Sequence, residues 1–207
     1  MSDELTTSIC NGSIAILGSG MDGADSLESY ETDTTTLANW CRRRFDPCRR
    51  RALLAWRWNE AIKLLAGTDA GGDDSGVVHP GYDYAYAIPV AAGCLALRGI
   101  VDEDGKALKH RPAGGFIHTD YATDEFYWDF ILDLESGFSE GLRQCIEYLL
   151  AADLAGPIYK GDKGDAKRRA LLQEYRELIL PDAQGWNQAE QYDETNESAP
   201  DVISEIT

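Results

Sequence analysis

The sequence predicts an α+β fold, in which an antiparallel β-meander is inserted between the second and third helices of a four-helix bundle. Apolar residues recur at helical spacing up to about residue 56 and again from residue 138, and they alternate at strand spacing in between. An acidic, polar segment follows the last helix. We therefore expect a helical domain at 1–66 and 134–191, an inserted β-sheet domain at 67–133, and an extended, flexible acidic tail at 192–207.

The first helix is predicted over residues 4–18, from apolar residues at Leu5, Ile9, Ile16 and Leu17. For the second helix, Thr34 to Thr36 supply an N-cap, and the helix is predicted to run to about Trp56. Pro47 lacks a backbone donor, so we expect a kink or a split near Asp46.

The second predicted helix separates apolar from basic residues. Its apolar positions follow steps of three and four and therefore share one face: Leu37, Cys41, Phe45, Cys48, Ala52 and Ala55. Seven of the chain's 19 basic residues lie between Cys41 and Asn59. The pattern predicts a helix that packs on one side and contacts partners on the other.

The middle of the chain shows strand periodicity. Alternation predicts a strand at 82–88, and further short strands are predicted at 95–102, 106–110, 116–120 and 126–132. Asp104-Gly105 and Gly114-Gly115 mark turns between them. These segments predict the meander of four or five strands.

Helical periodicity returns at Phe138, with Ser139 as the predicted N-cap, and Gly156-Pro157 is expected to disturb the helix end. A turn is predicted at 161–165, followed by a last helix from Ala166 to about Ile179 that resumes after Pro181. From Tyr192 the composition predicts a tail that is unfolded in the free protein.

Chemistry-bearing residues give little sign of catalysis. Strand alternation places His118 and Asp120 on one face, but no serine or cysteine motif accompanies them. The five cysteines are scattered without a Cys-x-x-Cys pair, and the three histidines have no metal spacing. We therefore predict no catalytic residue, no cofactor and no metal site.

Charge is distributed unevenly along the chain, which has a formal net charge of −17. Residues 1–40 and 182–207 each contain seven acidic residues and no Lys or Arg. Both ends would repel phosphate, which argues against general nucleic-acid binding. They suit contact with a basic partner, or the wall of a channel through which DNA slides without sticking. No run of 18 apolar residues and no signal-peptide pattern occurs, which predicts no membrane span and a cytoplasmic protein.

Several segments in this order resemble the tail tubular protein A family, the head-to-tail connector (adaptor) proteins of short-tailed bacteriophages. They are the Leu53–Asn59 helix end, the Tyr84–Pro89 strand, Cys94–Arg98, Gly115–Asp120, and the helix opened by Phe138. The resemblance covers roughly residues 5–190. Trp58 and Asn59 match the tryptophan-containing helix end of the family. Tyr86 and Pro89 match its first strand, and Thr119 and Asp120 match the hairpin before its last strand. The arginine triplets are denser and the acidic tail longer than the family's pattern.

The resemblance implies a structural virion protein without catalytic residues. It implies a ring, usually twelve-fold, that sits beneath the portal in the virion neck, extends the DNA channel and offers a docking surface to the tail nozzle. Double-stranded DNA would pass through the lumen without sequence-specific binding, and no membrane would be involved. Assembly would take place in the host cytoplasm.

Two hypotheses about contact residues follow. A closed ring needs two different faces of one subunit to meet. We expect an arginine set to meet an acidic set of the neighbouring subunit: Arg42, Arg43, Arg44, Arg49, Arg50 and Arg51 on one side, and Asp22, Asp25 and Glu28 on the other. We also expect the tail to dock on the portal through Tyr192, Asp193, Glu194, Glu197, Asp201, Val202, Ile203 and Ile206.

Three other interpretations stay open at this point. The chain could be another head-completion or stopper protein of the same virion neck. A small cytoplasmic enzyme would use a site around His118 and Asp120. A regulator that binds nucleic acid through the arginine helix would show strongly salt-dependent DNA binding, which the net charge disfavours.

Overall fold

The computed structural model describes residues 3–18, 26–70 and 77–196. It contains helices and two three-stranded antiparallel sheets, so the predicted α+β class is confirmed. The chain forms two compact units: Met1–Ala52 with Ser136–Thr207, and Leu53–Glu135. In the described part, no helix combines the length and hydropathy needed to cross a membrane.

The first unit is helical. Its helices are α1 (Asp3–Leu17), α2 (Thr36–Ala55, whose last turn enters the second unit), α3 (Glu140–Tyr159), α4 (Gly161–Glu174) and α5 (Leu180–Asn196). The central helix is α3, which contacts α1, α4 and α5. Apolar side chains on several sides of α3 are therefore buried, from Leu142 to Ala155.

Both predicted N-caps are present. The Thr35 hydroxyl accepts a hydrogen bond from the backbone N–H of Ala38 at 3.2 Å. The Ser139 hydroxyl accepts one from the N–H of Leu142 at 3.3 Å. Each bond satisfies a donor that the first helical turn leaves without an intrahelical partner.

Two local predictions in the helical unit were wrong, a split of α2 at Pro47 and a turn at 161–165. The helix α2 continues through Pro47, and a kink at that residue stays a prediction. The helix α3 contains Pro157 and ends two residues later, at Tyr159. Residues 161–165 form the start of α4 rather than a turn. The break lies one residue earlier, at Lys160, whose φ of 53° separates α3 from α4.

A short π-helical segment, Tyr175–Ile179, joins α4 to α5. In it the N–H of Leu180 bonds to the carbonyl of Tyr175, five residues earlier. Pro181 follows at once and has no N–H to donate to Glu177, so the hydrogen-bond pattern changes where proline removes a donor. The last helix was predicted to stop at about Ile179 and to resume after Pro181. In the structure the helical backbone continues without interruption from α4 to α5.

The described residues of the second unit form six strands: β1 (Ile62–Ala66), β2 (Tyr84–Ala87), β3 (Cys94–Val101), β4 (His110–Ala113), β5 (Phe116–Thr119) and β6 (Tyr127–Leu132). The sheets have the orders β1-β6-β3 and β2-β5-β4, and all pairs are antiparallel. Only β4 and β5 are neighbours both in sequence and in a sheet, so the predicted meander is wrong. Strand β1 was not predicted, and it precedes the expected start of the insertion at 67.

The core of the second unit is aromatic and aliphatic. Side chains of both sheets contribute to it, in the set Tyr86, Ile100, Ile117, Phe126, Trp128 and Phe130. On β6, Trp128 and Phe130 point to this core, while Tyr127 on the opposite face is exposed. Asp129, between these two core residues, is also buried and forms an ion pair with Arg98 at 3.1 Å, so burial on β6 does not follow strict alternation.

Candidate subunit interface

The helix α2 buries one face, as the apolar stripe predicted. Leu37, Cys41, Phe45, Cys48 and Ala52 are at most 4% exposed. Ala55, the last residue of the helix, is exposed instead, so the buried stripe ends at Ala52. This core face fixes the directions in which the six arginines point.

Arg42 is engaged within its own chain. Its Nη2 donates hydrogen bonds to the carbonyl oxygen of Asp33 at 2.6 Å and to Oδ1 of Asn39 at 2.9 Å, and its Nη1 donates to the carbonyl oxygen of Tyr30. Arg42 therefore holds the segment before α2 against the helix. In this conformation its donors are committed to that segment.

Arg49 lies inside the fold, with 1% of its surface exposed. It follows Phe45 by four residues and precedes Ala52 by three, which places it at the edge of the core face. Its Nε donates a hydrogen bond to Oδ1 of Asp46 at 3.3 Å. The sequence-based hypothesis put Arg49 on the contact surface, and its burial corrects that placement.

Arg51 pairs with an acidic residue that the sequence analysis did not single out. Its Nη1 lies 3.0 Å from Oδ2 of Asp153 on α3. The Cys48 thiol also donates to Oδ2, at 3.4 Å. Asp153 is the one acidic residue within the apolar run Leu149–Ala155. A single acidic residue in an otherwise apolar segment was the sequence feature that could have identified it as a buried partner of an arginine.

Arg43 and Arg50 are exposed and seven residues apart, so they point in nearly the same direction two turns apart. Arg43 makes no hydrogen bond or ion pair with any residue that the structure describes. Glu28 is exposed, whereas Asp22 and Asp25 lie outside the described residues. The pairing of these arginines with a neighbour's acidic residues stays a prediction.

Arg44 lines a cleft of about 340 Å³ that we call the basic cleft; its lining residues are Arg44, Asp153, Gly156, Pro157, Asp165 and Arg168. Here α3 and α4 approach closely. A Cβ added to Gly164 would lie only 3.0 Å from the carbonyl oxygen of Ala155, so the absence of a side chain at Gly164 allows the contact. Pro157 has no N–H to donate to the carbonyl of Asp153, four residues earlier. Sequence analysis anticipated only Arg44 at this site.

The carboxylate of Asp153 is only partly satisfied. Its Oδ2 accepts from Arg51 and Cys48, but its buried Oδ1 accepts no hydrogen bond from any described residue. Nη2 of Arg168 on α4 lies 3.6 Å from Oδ1. The carboxylate is therefore the centre of a polar group that joins α2, α3 and α4.

His118 and Asp120 have separate partners. His118 is 5% exposed, and its Nδ1 accepts a hydrogen bond from the backbone N–H of His79 at 3.2 Å. Asp120 forms an ion pair with Nζ of Lys109 at 3.0 Å. The structure does not join the two into a dyad. Across residues 3–18, 26–70 and 77–196, no group of three His, Cys, Asp or Glu side chains could hold a metal ion.

The predicted portal-docking segment begins as a helix. Tyr192, Asp193 and Glu194 lie in α5, which extends to Asn196. An unfolded start at 192 is therefore wrong, because α5 continues to Asn196. Glu197, Asp201, Val202, Ile203 and Ile206 lie outside the described residues.

No protein-family model matches the sequence. A search of curated proteins also found no match.

Proposed function

We propose that this protein is a structural protein of a short-tailed bacteriophage, a head-to-tail adaptor that forms a ring beneath the portal. The ring would extend the DNA channel, give the tail nozzle a docking surface and be traversed by DNA during ejection. The proposal rests on the resemblance of residues 5–190 to connector proteins. The structural observation that carries it is the exposed pair Arg43 and Arg50 on a helix whose opposite face is core.

The architecture supports this proposal. All six strands lie between α2 and α3 in the chain, and α3 contacts α1, α4 and α5. We infer a helical bundle that carries an inserted β region, which is the plan expected of a connector.

Ring formation requires favourable charge contacts between subunits. Copies of a chain with a net charge of −17 repel one another unless opposite charges meet at the interface. Arginine is well suited to such contacts, since its planar guanidinium binds carboxylates through two hydrogen bonds. We infer that Arg43 and Arg50 meet acidic residues of the next subunit, with Glu28 as the described candidate.

The two acidic segments, 1–40 and 182–207, fit the DNA channel and the portal contact of the proposed adaptor. A lumen of negative charge would let DNA pass without adhesion. The segment after Asn196 would contact the portal. Deletion of residues 197–207 is expected to leave a folded protein that no longer attaches to portal rings, and normal attachment would refute this contact.

Electron microscopy of the purified protein, alone and mixed with portal rings of the phage that encodes it, tests the proposal. We expect rings, usually twelve-fold, either free or on the portal. A compact monomer that ignores portal rings would exclude the adaptor function.

A charge-reversal pair tests the interface. The double variant Arg43→Glu with Arg50→Glu is expected to form no rings. Its matched control, Lys106→Glu with Arg111→Glu, changes the net charge equally at exposed positions of the second unit and is expected to assemble. Rings that form in both double variants would refute the role of Arg43 and Arg50.

A further inference from the structure

The helical unit concentrates its basic residues on two helices, α2 and α4. The helix α2 carries six arginines, and four more basic residues lie on α4: Lys163, Lys167, Arg168 and Arg169. The segments 1–40 and 182–207 of the same unit have seven acidic residues each and no Lys or Arg. Charge is therefore segregated within one unit, and its two parts are complementary.

Two guanidinium groups in the cleft have hydrogen-bond donors to spare. Arg44 is half-buried and makes no hydrogen bond or ion pair with the residues that the structure describes. The side chain of Arg168 is 51% exposed, and among the described residues its one ion pair is the 3.6 Å contact with Asp153. A guanidinium carries five N–H donors, and a carboxylate is the acceptor whose geometry fits it best.

Two arginines and two carboxylates line the cleft, Arg44 and Arg168 with Asp153 and Asp165, and Arg51 pairs with Asp153. Asp153 is already bonded to Arg51, and Asp165 is exposed to water, which screens its charge. A cleft of about 340 Å³ is large enough for an acidic side chain.

We propose that the basic cleft binds carboxylates of the acidic segment 190–207 of this chain. The segment belongs to the same helical unit, and four of its six acidic residues recur at every fourth position: Asp193, Glu197, Asp201 and Glu205. One carboxylate would bind Arg44 and Arg168. The segment is then a ligand of its own protein. This inference does not depend on the adaptor function.

Fluorescence anisotropy of a labelled peptide with the sequence of residues 190–207 tests the proposal. The protein is the full chain with four of the six acidic side chains of its own segment neutralised, as Asp193→Asn, Glu197→Gln, Asp201→Asn and Glu205→Gln, so that its segment competes less. We expect saturable binding at low ionic strength. A peptide with the same four substitutions is expected to bind about tenfold more weakly, because it lacks four of the six charged acceptors.

A matched pair of protein variants locates the site. Arg44→Gln with Arg168→Gln is expected to weaken binding about tenfold or more. Arg169→Gln with Arg176→Gln removes two charges from exposed positions outside the cleft, and its affinity is expected to stay within about twofold. Circular dichroism of each variant establishes that it is folded.

Two results would overturn the proposal. Equal weakening in both double variants would mean attraction to the general charge of the unit rather than to the cleft. Absence of binding at millimolar peptide would mean that the cleft is no site for this segment. Either result leaves the ring experiment unaffected, since assembly is measured separately.

Discussion

Arg51 on α2 and Asp153 on α3 form an ion pair with an Nη1–Oδ2 distance of 3.0 Å. The pair joins residues 102 positions apart in the chain. Because Arg168 of α4 faces the other oxygen of the carboxylate, one acidic side chain connects three helices.

Neutralisation of Asp153 is therefore expected to destabilise the helical unit. Asp153→Asn removes the charge from a partly buried group and weakens its contacts with both arginines. We expect a loss of about 1–2 kcal/mol in the free energy of unfolding, measured by urea denaturation. The control Asp104→Asn, at an exposed turn of the second unit, should have little effect. Equal stability of the two variants would contradict this role of Asp153.

Two helical glycines form a matched pair. A Cβ at Gly164 would lie 3.0–3.2 Å from the backbone of Ala155 and Gly156, whereas a Cβ at Gly156 would have no neighbour within 4 Å. Gly164→Ala is expected to destabilise the protein by about 1–3 kcal/mol, because backbone must shift. Gly156→Ala is expected to stabilise it by up to about 1 kcal/mol through helix propensity. Thermal unfolding distinguishes the two, and effects of the same sign would contradict the close approach of α3 and α4.

Glu147 makes stability depend on pH. Its carboxyl lies against Gly12 of α1, and burial raises its pKa above the ordinary 4.5, although the ion pair with Arg143 lowers it by less. The folded protein thus holds this proton more tightly than the unfolded chain does. The protonated carboxyl of Glu147 therefore contributes to the free energy of unfolding below pH 4.5. This contribution is lost as the pH rises through the higher pKa of the folded protein.

The variant Glu147→Gln tests that sign. Its unfolding free energy should match that of the wild type in acid and exceed it at neutral pH, since no charge must then be buried. Denaturation curves at a series of pH values measure the difference. Glu103→Gln, at an exposed position, is the control. A variant that is less stable than the wild type at neutral pH would show that the ion pair with Arg143 outweighs burial.

The thiols should differ in reactivity. Burial raises the pKa of Cys145 to about 12, and the pKa of Cys48 is raised by burial and by the charge of Asp153. Hydrogen bonding to Cys41 and burial raise the pKa of Cys10. Cys94 is half-buried, so we expect it to be alkylated first at pH 8.

Mass spectrometry after timed treatment with iodoacetamide measures this order. One adduct, on Cys94, is expected in the native protein, and five are expected after denaturation. Early modification of Cys10 or Cys41, both 0% exposed, would mean that α1 and α2 separate readily in the native state.

Much of the fold was predictable because it follows from local periodicity. The spacing of Leu37, Cys41 and Phe45 placed them on one helix face, and they are buried. The hydroxyls of the Thr34–Thr36 segment and of Ser139 marked helix starts, since capping depends only on neighbouring residues.

Strand pairing was less predictable. Alternation located most strands, but it carries no information about which strand lies beside which. The partner of β1 is β6, across the whole insertion, and a meander assumes the nearest neighbours in sequence. Strand β1 itself is short, and Lys63, Leu64 and Leu65 show no strict alternation.

The sequence by itself determined the α+β class, the apolar face of α2, the helix caps and the uneven charge, because each depends on residues a few positions apart. Only the tertiary structure decided which charges are available for contact. It buried Arg49, committed Arg42 to the preceding segment, and paired Arg51 with a distant carboxylate. Burial and ion pairing depend on what the rest of the chain places nearby, and the spacing of arginines along one helix does not contain that information.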